Sequence, residues 1–346
     1  MKYAPIGIGA AIAVTVGKSG IGVLLGGIVI ASFGWHALFI RNLLIRQETP
    51  GGPSDVTILH LPSFTADPAR HGTRTGTVIA PFWHPIKLAG EAAMADIITG
   101  GRIDLGIARG AYGFEYERLS PGLDAWTAGQ KMRELIPAIK GLWAGDYTHD
   151  GEHWKFPKTT SAPLPVQQPH PPLWVAARDP NSHEFAVANG CNVQVTPMHN
   201  GDAEVQNLMD KFNAACEKHA DMPRPKIMVL RHTYVADSEA DAMQGAAELS
   251  AFFNYFAAWF KNEKPISMGL LETISPEEIA ANATYSTEVM RKNHIVGQAD
   301  EVIGRIKSYQ AMGYDEFSLW IDSGMSFERK KASLTRFVND VMPAFA

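Results

Sequence analysis

The sequence predicts a single (β/α)8 barrel, a TIM barrel, and three observations predict it. At 346 residues, with 46% hydrophobic and 19% charged side chains, the chain has the length of one large barrel without a second domain. From Thr73 onward, short β-branched runs alternate with amphipathic segments of helical length, as repeated βα units on a parallel sheet should. Gly, Pro, Asp and Ser fall between these runs where caps and turns need them.

The net charge of -5 gives no broad basic field, which argues against nucleic acid or an anionic membrane as partner and favours small-molecule chemistry. Cys191 and Cys216 are the only cysteines, too few for a disulfide scaffold and suited to a reducing cytoplasm. No CxxC or His/Cys cluster has metal-ligand spacing, so no metal is expected.

Residues 4–40 are almost continuously apolar, broken mainly by Lys18 and Ser19 and followed by Arg41 and Arg46. Two readings stay open. Gly20 to Ile40 is long enough to span a bilayer, whereas buried parallel strands and packed helices also read as unbroken apolar runs; the second is favoured. Lys2 is the only early positive charge and no small-x-small cleavage site follows, which weakens a secretory signal. Gly17-Lys18-Ser19 fails as a phosphate loop because position 12, where that motif needs glycine, is Ile12. The turn formers from Glu48 to Asp55 end this region. Residues 1–72 are therefore set apart as an atypical N-terminal segment, the first barrel units or an anchor, and residues 73–346 as the barrel body.

Six strands are predicted along the body, over 75–80, 103–108, 173–177, 192–196, 226–235 and 316–321. Pro85 to Ile98 reads as a helix opened by proline and stopped by Thr99-Gly100-Gly101. Asp124 to Trp143 carries Met132, Leu135, Ile136, Ile139 and Trp143 at helical spacing. Tyr147 to Lys155 reads as a hairpin around Asp150-Gly151, followed by proline-rich coil to Pro172. Asp179 is a good N-cap for a helix begun by Pro180, whose free N–H groups suit an anion. Ser238 to Phe260 is a long helix with aromatics crowded into its second half, a packing or dimer surface. Lys261 to Ala281 lacks periodicity and reads as a mobile insertion or lid. Gln298 to Met312 and Ser326 to Val341 are the closing helices.

Three segments, Gly76 to Glu91, Gly100 to Gly110 with its Arg-Ile-Asp-Leu-Gly-Ile-Ala-Arg-Gly run, and Ile295 to Val302, together resemble the bacterial luciferase-like flavin-dependent monooxygenase family. The resemblance covers the chain from about Thr73 to the C-terminus, while residues 1–72 lack the family's usual opening; Trp35-His36 is the one candidate remnant of its second-strand signature. It implies a monooxygenase that takes reduced FMN from a separate NAD(P)H:flavin reductase and uses O2 to oxygenate a small organic substrate, as a cytoplasmic homodimer. A deazaflavin-dependent dehydrogenase on the same barrel and a non-catalytic flavin-binding relative are the alternatives.

On that resemblance, Ala80 and Pro81 lie where the family holds the flavin ring, and Ala177, Arg178, Asp179 and Ser182 where it contacts the phosphate. Arg109, directly after its strand, suits a bidentate phosphate pair, with a surface ion pair as its alternative role. Gly110 follows it in the turn, and Tyr112 and Tyr116 line the pocket or pack its mouth. Asp179 is expected to cap its helix. His84 is the catalytic candidate, placed to orient substrate or move a proton, and equally a helix-start residue bonded to backbone. His232, inside a strand, is read as structural.

Overall fold

A computed structural model describes residues 3–5, 73–74, 76–267 and 270–345. The turn cluster at 48–55, Trp35-His36 and nearly all of the apolar segment, with its anchor and first-barrel-unit readings, lie outside the described residues. Two compact units partition the chain, Ile12–Ala177 with Phe185–Val193, and Met1–Ala11 with Arg178–Glu184 and Gln194–Ala346.

In the first unit, β1 (Thr73–Arg74) and β2 (Val78–Ile79) both run parallel to β3 (Ile103–Ala108), with Arg74 opposite Asp104 and Ile79 opposite Ala108. Of the strand expected over 75–80 only Val78–Ile79 forms, and Thr73–Arg74 is a separate short piece before it. Gly76, in a bend between them, has no side chain to pack and weakens a strand interior. A tight turn, Ala80–Phe82, leads into α1 (Pro85–Thr99), which ends where Gly100 takes φ +64°. After β3 come α2 (Gly113–Leu119), α3 (Ala125–Ala144), the antiparallel pair β4 (Tyr147–Asp150) and β5 (Lys155–Thr159), and β6 (Leu173–Ala176), which runs parallel to β3.

The predicted stripe of α3, Met132 to Trp143, is buried, and Pro137 sits inside the helix without ending it. Small residues on α1, Ala89, Ala92 and Ala93, are buried too, and Trp143 Nε1 donates to the Ala89 carbonyl at 3.0 Å. Glu134 of α3 organises the hairpin turn: its carboxylate accepts from the N–H groups of His153 and Trp154 at 2.9 Å and meets His149 Nε2 at 2.9 Å. Burial alone would raise the Glu134 pKa, but these bonds outweigh it and hold the carboxyl below its ordinary range. The proline-rich connection is pinned in turn by Asp96, fully buried on α1, which accepts from Gln167 N at 2.8 Å and Gln167 Nε2 at 2.7 Å.

At the strand starts Arg74, 2% exposed, pairs with Asp104 at 2.9 Å and lies over the Trp174 ring, while Trp174 Nε1 donates to the same carboxylate oxygen at 2.9 Å. A buried cation needs this compensation, since desolvation without a partner is costly.

The helix α4 (Pro180–Ala188) and strand β7 (Asn192–Val195) have residues in both units. The second unit then holds α5 (Asp202–Lys218), the fully buried β8 (Ile227–Val235) and α6 (Glu239–Phe260). It continues through α7 (Pro276–Ala281), α8 (Thr287–Asn293), β9 (Ile295–Gly297), α9 (Ala299–Met312), β10 (Glu316–Trp320) and α10 (Phe327–Arg336). Strands β9 and β10 each pair parallel with β8, His232 standing opposite Trp320.

The stretch Lys261 to Ala281, expected to be aperiodic, carries an antiparallel pair, Ile266–Ser267 with Leu270–Glu272, and α7 with a Ser275/Glu278 capping box. Strands of two or three residues are too short to show a period, although Ser-x-x-Glu was readable as a cap. The aromatic half of α6 packs inside its own unit: Phe253 is buried, and Phe252, Phe256 and Tyr285 lie against the same core.

Candidate functional site

Beyond the ends of β2 and β3 the chain gathers Ala80, Arg109, Gly110 and Tyr116. Ala80 is fully buried and its carbonyl accepts from Trp83 N at 3.0 Å. Gly110 has φ +92°, and a Cβ there would meet Ile79 Cγ2 and the Tyr116 ring at 3.0 Å. Only glycine allows this backbone both its left-handed conformation and its close approach. Tyr116 is buried and donates its hydroxyl to the Arg109 carbonyl at 3.0 Å, fixing the turn.

The exposed Arg109 guanidinium bonds the Ala125 carbonyl at 3.3 Å and forms no ion pair among the described residues. The alternative ion-pair role finds no acid among the described residues, where the guanidinium is exposed. Tyr112 caps the start of α2 and stacks on Phe114 with centroids 5.6 Å apart; burial, aided by the charge of Glu115, pushes its hydroxyl up to about 12. Tyr112 is thus a neutral donor at physiological pH.

His84 is exposed at the N-cap of α1, where its Nδ1 accepts from Ile86 N at 3.3 Å. Its ring centre is 5.8 Å from that of Phe156. The capping role anticipated as its alternative is present. Ala177, next to β6, is 4% exposed in the first unit.

In the second unit, Arg178 is exposed and loosely paired with Glu204 at 3.7 Å. Ser182 is 7% exposed and donates its hydroxyl to Asp179 Oδ2 at 2.6 Å, while its N–H reaches Asp179 Oδ1 at 3.1 Å. Asp179 therefore caps α4 as expected and already brings negative charge to the helix N-terminus.

A second group of chemistry-bearing residues gathers around His232, which the sequence reading makes structural. His232 stacks on Trp320 with centroids 4.3 Å apart, its Nδ1 is 2.8 Å from Ser323 Oγ, and His294 stands perpendicular to it at 5.3 Å. His294 and His232 are each 5.0 Å from Phe253, and His199 is 6.3 Å from it. Burial first, and then the neighbouring Arg231, holds His232 well below the usual histidine range. Burial, followed by the charges of His232, Arg231, Arg305 and His199, does the same for His294. His232 is at the C-terminal part of its strand, where barrels carry their chemistry, and His294 immediately precedes the Ile295-Val-Gly motif. Those positions were the available signals.

Residues 73–316 match the family of luciferase-like monooxygenases. The chain is 71% identical over 272 residues to the oxygenase component of flavin-dependent trigonelline monooxygenase from Acinetobacter baylyi, covering 79% of this chain and 76% of that one. It is 28% identical over 253 residues to the FMNH2-dependent dimethylsulfone monooxygenase of Pseudomonas putida, covering 67% of this chain and 64% of that one. Among solved structures, monooxygenase RslO1 from Streptomyces bottropensis superposes with TM-score 0.65 at 27% identity, covering 80% of this chain and 79% of that one. The fold is thus of the luciferase-like, TIM-barrel type. Among the described residues no helix is long and apolar enough to cross a membrane.

Proposed function

The chain belongs to the luciferase-like monooxygenase family, and from that premise we propose that it is the oxygenase component of a two-component system acting on trigonelline or a near analogue. It is a flavin-dependent monooxygenase, using reduced FMN and O2 to oxygenate a small organic substrate. The observation that carries the substrate reading is the 71% identity sustained over 272 residues. Trigonelline is an N-methylpyridinium carboxylate, a flat ring with a fixed positive charge and a carboxylate.

When bound, the flavin supplies the oxygen-activating chemistry; the protein binds, orients and excludes water. The residues at the strand ends fit such a group. Arg109 offers a guanidinium without an acidic partner among the described residues, able to grip phosphate through two parallel bonds. The bare backbone at Gly110, which a Cβ would fill, gives close approach, and buried Ala80 and Ala177 offer small apolar surface. Tyr112 contributes a neutral hydroxyl.

Arg178 is the candidate second phosphate contact, and Ser182 acts by fixing Asp179 at the helix start. His84, exposed beside the turn, is the candidate for orienting substrate or moving a proton at its ring nitrogens. A separate NAD(P)H:flavin reductase supplies the reduced cofactor. Residues 73–346 form the barrel body of a cytoplasmic homodimer, with 1–72 an atypical N-terminal segment that supplies either the first barrel units or an anchor; Leu119 and Trp126, each 66% exposed, support a partner surface.

The test combines the purified chain with an independent flavin reductase, NADH and FMN, and follows O2 uptake and substrate loss for trigonelline against nicotinate, which lacks the N-methyl group. Coupled consumption of trigonelline and O2 is expected. NADH oxidation to which no pyridinium compound couples overturns the substrate reading, and turnover only with a deazaflavin overturns the cofactor.

A further inference from the structure

Buried polar atoms without partners are rare in native proteins and call for an explanation. In the second unit, four of them fall on one patch: both ring nitrogens of His294, Nε1 of Trp320 and Oγ of Ser318. Trp320 and Ser318 project from the same face of β10, two residues apart, and Trp320 stacks on His232 across the ladder. His294 meets the edge of His232. His294 and Ser318 are fully buried, whereas Trp320, Phe252, Tyr285 and His199 around them are only half-buried, so the patch has a side that approaches solvent.

We infer that His232, His294, Trp320 and Ser318 form the wall that recognises the organic substrate, a flat heteroaromatic ring carrying a hydrogen-bonding carboxylate. This rests on the substrate reading above. Trp320 Nε1 and Ser318 Oγ are donors aimed at no acceptor among the described residues, as a carboxylate requires. Aromatic faces from Trp320, Phe252 and Phe253 suit a cationic ring. Because burial keeps both imidazoles neutral, they bring no charge to repel it. Each neutral imidazole has one donor and one acceptor; Ser323 occupies His232 Nδ1 and so sets the ring's orientation. Ser323 is a positioning residue.

The experiment compares wild type with His294→Phe and Ser323→Ala, reading trigonelline KM and kcat separately, the reduced-FMN Kd, and the rise in Tm at saturating trigonelline. Phenylalanine keeps the ring's shape and removes both unpaired nitrogens, so the ligand-free chain should fold with unchanged or higher Tm. A tenfold or greater rise in KM, with FMN binding unchanged and the ligand-induced Tm rise lost, is expected for His294→Phe. Ser323→Ala should raise KM less, and Ser323→Thr should restore it. An unchanged KM in His294→Phe overturns the inference and leaves the unpaired atoms to internal water. If wild type neither turns over nor is stabilised by trigonelline, the substrate reading has failed instead. Nicotinate and other ring carboxylates then serve as thermal-shift probes of the same wall, and stabilisation of His294→Phe equal to wild type by every probe rejects it.

Discussion

The guanidinium carbon of Arg74 sits 3.3 Å from the centre of the Trp174 ring. With Asp104 at 2.9 Å, the cation is compensated on both its face and its edge. Replacing Arg74 by Met leaves the carboxylate without its cation, and a loss of about 3 kcal/mol in unfolding free energy is expected. Urea denaturation should show Arg74→Met/Asp104→Asn to be less destabilised than Arg74→Met, since the double change removes the stranded charge.

Arg109→Ala should weaken reduced-FMN binding by about 10- to 100-fold, the scale of one or two charge-assisted hydrogen bonds of about 1.5–3 kcal/mol. Anaerobic titration measures it. Lysine should restore part of the loss as a point charge without the fork. Unaltered binding in Arg109→Ala would remove it from the phosphate site.

Gly110→Ala should destabilise the fold by about 1–3 kcal/mol through backbone strain, because the new Cβ needs φ near +92° and meets Ile79 and Tyr116 at 3.0 Å. Thermal melts should show this loss with or without flavin.

His84→Ala removes an N-cap, which typically costs about 1 kcal/mol, while His84→Asn keeps one. Asn is expected to preserve Tm and still lower kcat, because its amide cannot pass a proton between two ring nitrogens as an imidazole can. A kcat equal to wild type in His84→Asn would reduce the residue to its capping role.

Stability should fall on acidification below about pH 6.5. His232 and His294 titrate in the folded chain well below the ordinary value of 6.5, so the unfolded chain takes up protons first. Their contribution is fully present above that ordinary value and is lost as pH falls toward the folded values, with a limiting slope of about 1.4 kcal/mol per pH unit for each group. Arg231, Arg305 and His199 face His294 and reinforce the direction. Melting curves at pH 7.5, 6.5 and 5.5 test it, and His294→Phe should flatten the dependence.

Most elements of the body were legible because their signals are local. Pro85 and Gly100 bracket α1, Asp124 caps α3, and β3, β6, β7, β8 and β10 begin and end within one residue of expectation. What stayed hidden depends on partners distant in sequence. Asp96 looks like an ordinary polar helix residue until Gln167, 71 positions later, bonds it. His232 reads as a strand interior residue because nothing nearby announces Trp320, Ser323 or His294. At Ser182 a hydroxyl at a helix start invites an anion, and a carboxylate three residues before it takes the hydroxyl's bond.

Strand β3 carries Asp104 near its start and delivers Arg109 and Gly110 just beyond its end, five residues or about 16 Å of extended chain away. The anchor that binds Arg74 and Trp174 therefore lies at the opposite end of the strand from the turn that would meet a ligand. Mutational drift at the mouth can proceed without loosening the foundation. An evolving lineage can exchange one specificity for another there, and directed-evolution libraries confined to the residues after the strands, with Gly110 held fixed, should retain a high fraction of folded members.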